Sequence, residues 1–337
     1  MRRRLAEVAK YAGVSEATVS RVLNQKPGVA KATQEVVLTA LDVLGYERPT
    51  QLRGERARLV GLVLPELQNP IFPAFAEVVA DALAKRGFTP VLCTRTSAGI
   101  SEADYVDMLL EHHVSGVIFS GGLYAQAAAD HEHYLRLRER GLPAVLVNAA
   151  YDDLGFPRIS VDDRSAVEQA MTHLRSLGHE RIGMVLGPAD HVPSGRKLAA
   201  FEELGGVREL VERGMFSMES GQAAGGKLLQ KGVTGVICAS DVLALGVVRG
   251  ARREGYGIPE DVSVVGFDDS ALMACTDPPL TTVRQPIEPM GRSAVQTLLS
   301  LINGNPVSSE ELLFAPELVV RGSTGPGRLA SRLQVLG

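Results

Sequence analysis

From Leu59 onward, short apolar runs alternate with amphipathic segments. The runs are LVGLVLP, GVIFSG, AVLVN, RIGMVLG, GVICAS and VSVVGFD. They are strand-length, rich in Val and Ile, and bounded by Gly, Pro or polar residues, which predicts buried strands. Between them, apolar positions recur at helical spacing. Over residues 71–86, Phe75, Val78, Val79, Ala82 and Leu83 share one face, and 101–113, 164–177, 241–254 and 287–302 behave similarly. Gly87, Gly178 and Gly255 stand where three of these helices should stop. Such alternation predicts an α/β fold of parallel sheets with right-handed crossovers. The number of elements over this length suits two sheets better than one.

Residues 1–46 break the pattern. Three helical segments, over 5–12, 15–23 and 31–44, follow one another without a strand. ERPTQLRGERAR, residues 47–58, carries Pro49, Gly54 and four arginines, and is the natural linker.

Composition narrows the reading. The chain has 337 residues, enough for two or three structural units. It lacks Trp and is only 5% aromatic, so a large core must rest on Val, Leu, Ile and Ala. Cys93, Cys238 and Cys275 are far apart and fit no disulfide or zinc spacing, which suggests a reducing compartment. No secretory signal and no run of about 18 apolar residues is seen, so a cytoplasmic protein without a membrane span is expected. The net charge of −4 hides an asymmetry. Residues 1–60 hold 11 Lys and Arg against 6 Asp and Glu, and the remainder is acidic. A basic start that includes Arg2, Arg3 and Arg4 suggests a polyanionic partner for that part alone.

The stretch GVSEATVSRVLN suits a helix-turn-helix. Gly13 allows the turn and Ser15 is a good N-cap. Val14, Val19, Val22 and Leu23 can bury against Val8 and Ala9, leaving Glu16, Ala17, Ser20 and Arg21 outward. Arg21 suits guanine or phosphate, Glu16 suits cytosine N4, and Thr18 and Ser20 suit phosphate oxygens. A solvated helical hairpin is the plainer alternative, and the basic start weighs against it.

In the α/β body, ligand contacts are expected just after the strands, at their carboxyl ends. Asn69, Phe72, Ser120, Asn148, Ser240, Asp241 and Asp268 stand there. Asp and Asn can bind sugar hydroxyls in pairs, and Phe72 offers a flat face for stacking. Other signals fail. GQAAGGK, residues 221–227, has phosphate-loop spacing, but Leu228 follows where Ser or Thr should bind magnesium, so a helix is the better reading. His112–His113 and the HEH at 131–133 do not make a metal site; HEHYLRLRER reads as a solvated helix face. No GxGxxG after a strand and no GxSxG elbow occurs. No enzymatic activity, metal or cofactor is expected.

The combination and order of LAEVAKYAGVSEATVSRVLN, LGYERP, GLVLPELQNPIF, SLGHERIGMVLG, ASDVLALG, VSVVGFDD and PPLTTVRQP resembles the LacI/GalR family of bacterial transcriptional regulators over nearly the whole chain. Within it, the maltose-operon repressors are most similar. The resemblance implies an N-terminal helix-turn-helix head over 1–46, a hinge over 47–58, a periplasmic-binding-protein-like core of two parallel-sheet subdomains over 59–325, and a tail over 326–337. The subdomains would be about 59–160 with 285–315, and 161–284 with 316–325. It further implies a homodimer on a pseudo-palindromic double-stranded DNA operator, and a small sugar effector, maltose or a maltooligosaccharide by subgroup. The implied DNA contacts are Glu16, Ala17, Thr18, Ser20, Arg21, Asn24 and Leu52. The implied effector contacts are Phe72, Ser120, Asn148, Lys197, Phe216, Ser240 and Asp268. Two departures stand out. The spacing from Tyr46 to Leu52 is about three residues shorter than the family's. Lys197 replaces the usual Arg and loses its bidentate fork, a loss that the neighbouring Arg196 offers to make good. The tail, with Leu329, Leu333 and Leu336, is too short for a coiled coil, which favours a dimer over a tetramer. A solute-binding protein built on the same core is the alternative function.

Overall fold

The computed structural model describes residues 2–23, 26, 28–44, 58–95, 99–148, 154–308 and 310–327. Asn24, Leu52, most of the linker and the tail from residue 328 lie outside them.

The head is three helices, α1 (Arg2–Ala12), α2 (Glu16–Leu23) and α3 (Lys31–Val43). Gly13 turns the chain between the first two at φ +65°. Ser15 then accepts a hydrogen bond from the Thr18 amide at 3.1 Å and caps α2. Val8, Ala9, Val19, Val22, Val37, Ala40 and Leu41 form its small aliphatic core. α1 starts three residues earlier than its pattern predicts, so the backbone of the basic start is already helical.

The core repeats strand and helix in order. It runs β1 (Leu59–Leu64), α4 (Ile71–Ala84), β2 (Thr89–Thr94), α5 (Glu102–Glu111), β3 (Gly116–Ser120), α6 (Glu132–Glu139), β4 (Ala144–Val147) and β5 (Arg158–Val161). It continues through α7 (Asp163–Ser176), β6 (Ile182–Leu186), α8 (Val192–Glu203), β7 (Val211–Arg213), α9 (Met218–Gln230), β8 (Gly235–Cys238), α10 (Asp241–Arg253) and β9 (Ser263–Asp268). Last come β10 (Thr281–Arg284), α11 (Ile287–Ile302), β11 (Leu312–Phe314) and β12 (Glu317–Val319). All six apolar runs carry strands, and the three helix-ending glycines take positive φ.

Two six-stranded sheets result, ordered β11-β5-β4-β3-β1-β2 and β12-β10-β9-β8-β6-β7. β12 departs from the parallel expectation, pairing antiparallel with β10. The chain passes between the sheets after β5, after β10 and after β11, so each subdomain is assembled from separated segments. In each sheet the strand order reverses once, between β1 and β3 and between β6 and β8. Crevices for ligands open at the carboxyl ends beside such points.

The glycines of GQAAGGK serve packing. They lie in α9, which crosses α10 so closely that a Cβ on Gly221 would stand 2.2 Å from the Leu243 carbonyl oxygen. One on Gly246 would stand 2.2 Å from that of Met218. The predicted solvated face of α6 is also corrected. His133, Tyr134 and Leu137 are buried there, because Glu102 inside the subdomain draws the polar tips of the first two inward. His133 Nε2 lies 3.1 Å from Glu102 Oε1, and the Tyr134 hydroxyl donates to the same oxygen.

Candidate functional site

A cleft of about 390 Å³ runs between the two sets of strand ends. Phe72, Ser120, Asn148, Lys197, Phe216, Ser240 and Asp268 all line it, although they come from seven separate stretches of chain. Asn69 lines it too, whereas Asp241 lies behind it.

Each subdomain seats one aromatic wall on a glycine. Gly121 follows β3, and a Cβ there would stand 3.1 Å from the Phe72 ring. Gly187 follows β6, and a Cβ there would fall 2.4 Å from the Phe216 ring. Phe216 also meets the His191 ring edge-on at 5.1 Å. Burial, with Lys197 and Arg213 nearby, pushes the His191 imidazole down to about 3, so it is neutral at pH 7.

The polar floor joins the two subdomains. Gln285 donates to Asp268 Oδ1 at 2.6 Å, and its carbonyl oxygen accepts from Asn148 Nδ2 at 3.2 Å. Asp268 Oδ2 and Asn148 Oδ1 are buried with no hydrogen bond of good geometry among the described residues, although the Asn69 side chain stands beside the Asp268 carboxyl. Two buried acceptors aimed into a cleft call for donors from a ligand. Both residues hold left-handed backbone, at φ +119° for Asp268 and +68° for Asn148. Strain of this kind gathers where a side chain must be aimed. Burial, with Asp241 behind it, raises the Asp268 carboxyl well above its usual range. Asp241 is itself lifted to about 6 by burial. It accepts from the Thr282 hydroxyl at 2.6 Å and the Ser270 amide at 2.9 Å, which fixes the segment after Asp268.

Ser240 contributes in a second way, as the N-cap of α10 with the Leu243 amide at 3.2 Å. Lys197 is 5% exposed and pairs with Asp163. Its ammonium stands 4.1 Å from the centroid of the Phe267 ring, a cation–π contact. Arg196 does not take over this place. It turns away from the cleft and grips Glu311 instead. Asp163, Gln285 and His191 escape sequence reasoning. Asp163 sits beside the helix-capping Asp162 and reads as a capping acid. Gln285 and His191 follow strand ends but carry no chemical signature.

Among the described residues no cluster of His, Cys, Asp and Glu could hold a metal ion. His131, of the HEH run, bonds through Nε2 to the Leu123 and Gln126 carbonyl oxygens.

In the head, Glu16, Ala17 and Arg21 are exposed along α2, while Thr18 and Ser20 are half-buried on its flank. Thr18 shares a hydrogen bond with Ser15 at 2.9 Å. The exposed side of an eight-residue helix therefore presents a carboxylate, a methyl and a guanidinium.

The model for bacterial regulatory proteins of the lacI family matches residues 4–49, and that for a periplasmic binding protein-like domain matches residues 171–324. The HTH-type transcriptional regulator MalR of Streptomyces coelicolor is 53% identical over 334 residues, 96% of this chain and 97% of that protein. A transcriptional regulator CelR–cellobiose complex superposes with a TM-score of 0.70 at 33% identity, covering 95% of this chain and 99% of that one. The lac repressor dimer bound to operator and the anti-inducer ONPF superposes with a TM-score of 0.71 at 29% identity, covering 94% and 98%. These relatives are transcriptional regulators.

Proposed function

The chain belongs to the lacI family of bacterial regulatory proteins, and on that premise we propose a maltose- or maltooligosaccharide-responsive transcriptional repressor. It is a sugar-responsive regulator that binds operator DNA as a homodimer. The sugar's hydroxyls are held by Asn148, Lys197, Asp268, Ser120 and Ser240, and its rings stack on Phe72 and Phe216. The observation that carries this reading is the pair of buried acceptors, Asp268 Oδ2 and Asn148 Oδ1, between the two aromatic walls. The cleft volume of about 390 Å³ lies within the range of small-molecule sites.

In the same reading, α2 enters the major groove with Glu16, Ala17 and Arg21 on base edges and Thr18 and Ser20 toward phosphates. Asn24 and Leu52 complete the contacts, with Leu52 in the minor groove. Residues 1–46 are the DNA-binding head, 47–58 the hinge, 59–325 the effector core and 326–337 a tail. The protein acts in the cytoplasm without catalysing a reaction. No described helix is long and apolar enough to cross a membrane. Sugar occupancy and operator affinity are reciprocally coupled, typically by about 1–3 kcal/mol.

A thermal-shift screen of maltose, maltotriose, cellobiose, ribose and lactose tests the effector, since a bound ligand raises the melting temperature. Stabilisation by maltose or maltotriose above the others is expected; stabilisation by ribose alone would overturn the maltose reading. Removing residues 1–58 should abolish operator binding and leave sugar binding intact. Specific DNA binding by the truncated core would refute the placement of the head.

A further inference from the structure

We propose that Arg196 and Glu311 form a positioning pair that fixes α8 against the other subdomain and so sets where Lys197 stands in the cleft. The contact is a fork. Arg196 Nη1 and Nη2 each donate to one Glu311 oxygen, both at 2.9 Å. A third donor, the Ser160 hydroxyl, reaches Glu311 Oε1. The side chains are 32% and 15% exposed. Exposed single-contact ion pairs hold little, but a bidentate, mostly covered pair with a further hydrogen bond specifies orientation as well as proximity. Burial raises the Glu311 carboxyl, yet the Arg196 and Ser160 hydrogen bonds outweigh it, and the group sits below its usual range.

The fork crosses a boundary. α8 follows β6 and belongs with the second sheet, where it packs on α7. Glu311 directly precedes β11, the edge of the first sheet, which pairs with the Ser160-bearing β5. Successive helical residues point about 100° apart. The residue after Arg196 is therefore aimed elsewhere, and Lys197 faces Asp163 and the Phe267 ring. α8 cannot rotate or slide to move Lys197 without breaking the fork beside it. A second crossing contact holds the start of the helix. The Ala127 amide of the first subdomain donates to the Asp190 carbonyl oxygen at 2.9 Å, and Gln126 forms a lone bridge with His191. The first subdomain thus grips α8 at its cap and at its second turn, with Lys197 next to the second grip. Arg196 does not line the cleft, so its role is to position and not to touch ligand.

The inference rests on the cleft being the effector site, but its main test needs no sugar. Cys275 is exposed in the second subdomain, whereas Cys93 and Cys238 are buried. A spin label on Cys275 and another on Glu111→Cys, at the exposed end of α5, report the distance between subdomains in the full-length protein. Dilution with excess unlabelled chains leaves the intrachain distance alone. The otherwise unmodified chain should give one narrow distance. Arg196→Met and Glu311→Gln should each broaden it or add a second population of at least about a tenth, and Arg196→Glu with Glu311→Arg should restore the single distance. Arg196→Lys, which keeps the charge without the fork, should give an intermediate distribution. Unchanged distributions in both single variants, or a reversed pair no better than either single change, would overturn the proposal. As a second readout, maltose affinity should fall roughly tenfold in Glu311→Gln and recover in the reversed pair, with the melting temperature of the ligand-free protein almost unmoved. If the wild type binds no maltose, the effector assignment fails and the distance measurement still decides the pair.

Discussion

The head and the core place the residues proposed to bind in opposite environments. Among the described residues of the head, aliphatic side chains such as Val8, Val19, Val22 and Val37 make the interior, and Glu16, Ala17 and Arg21 stand outside it. In the core, Asp268, Ser120, Lys197 and Ser240 are each no more than 5% exposed. The head can therefore change what it reads without touching what holds it together. The core cannot, because the groups proposed to meet sugar also stitch the fold. Ser240 caps α10, and Asp268 holds Gln285. Specificity is cheap to alter in the first region and costly in the second.

Substitutions can break this contrast or sharpen it. The largest effect is expected from Gly246→Val, whose Cβ would meet the Met218 carbonyl oxygen at 2.2 Å. Backbone has to move, at a cost of about 3 kcal/mol or more, which lowers the core melting temperature by roughly 10 °C. Calorimetry should show the head transition unmoved; a joint shift would mean that the two regions do not melt independently. Next comes Asp268→Asn. Losing an acceptor oxygen that a sugar hydroxyl would meet should weaken sugar binding by roughly 10- to 150-fold in titration calorimetry. The melting temperature should fall as well, because the same carboxyl holds Gln285. Unaltered affinity would remove Asp268 from the site. In the head, Arg21→Ala should weaken specific operator binding by about 1–3 kcal/mol while sugar affinity stays constant. Equal losses on specific and non-specific DNA, with a shallower salt dependence, would reassign Arg21 to phosphate. The smallest effect belongs to Ser15→Ala, which removes the cap on the Thr18 amide and costs the head about 1 kcal/mol. Hydrogen exchange in α1 to α3 of the full chain should report it, with the core unaffected.

The same contrast governs how much could be read from sequence. The head was legible because its helices are amphipathic and the exposed side of α2 is a local pattern. In the core, the six long apolar runs declared themselves as strands, and residues after them were the right places to look for a cleft. β5, β7, β10, β11 and β12 did not declare themselves, because, unlike the equally short β4 and β8, they are broken by polar residues or partly exposed; β2, though longer, is partly exposed too. α8 was hidden too, since VPSGRKLAAFEE opens with Pro and Gly and lacks a sharp apolar stripe. Pairings were beyond reach for a different reason. Lys197 meets Asp163 across 34 residues, and Asn148 meets Gln285 across 137. No local period encodes contacts of that span. The shortened hinge around Leu52 lies outside the described residues, and its consequence rests with the operator measurements.

The interleaving of the sheets has a consequence for synthesis. β5, ending at Val161, takes β11, starting at Leu312, as its outer partner. At roughly 5–20 residues per second, that partner is translated on the order of 10–30 seconds after β5. Throughout that interval the edge of β5 stands unpaired on the nascent chain, while the head, built entirely from local contacts, has had ample time to fold. A ribosome that terminates between residues 161 and 312 would release a folded head attached to a body with an open strand edge.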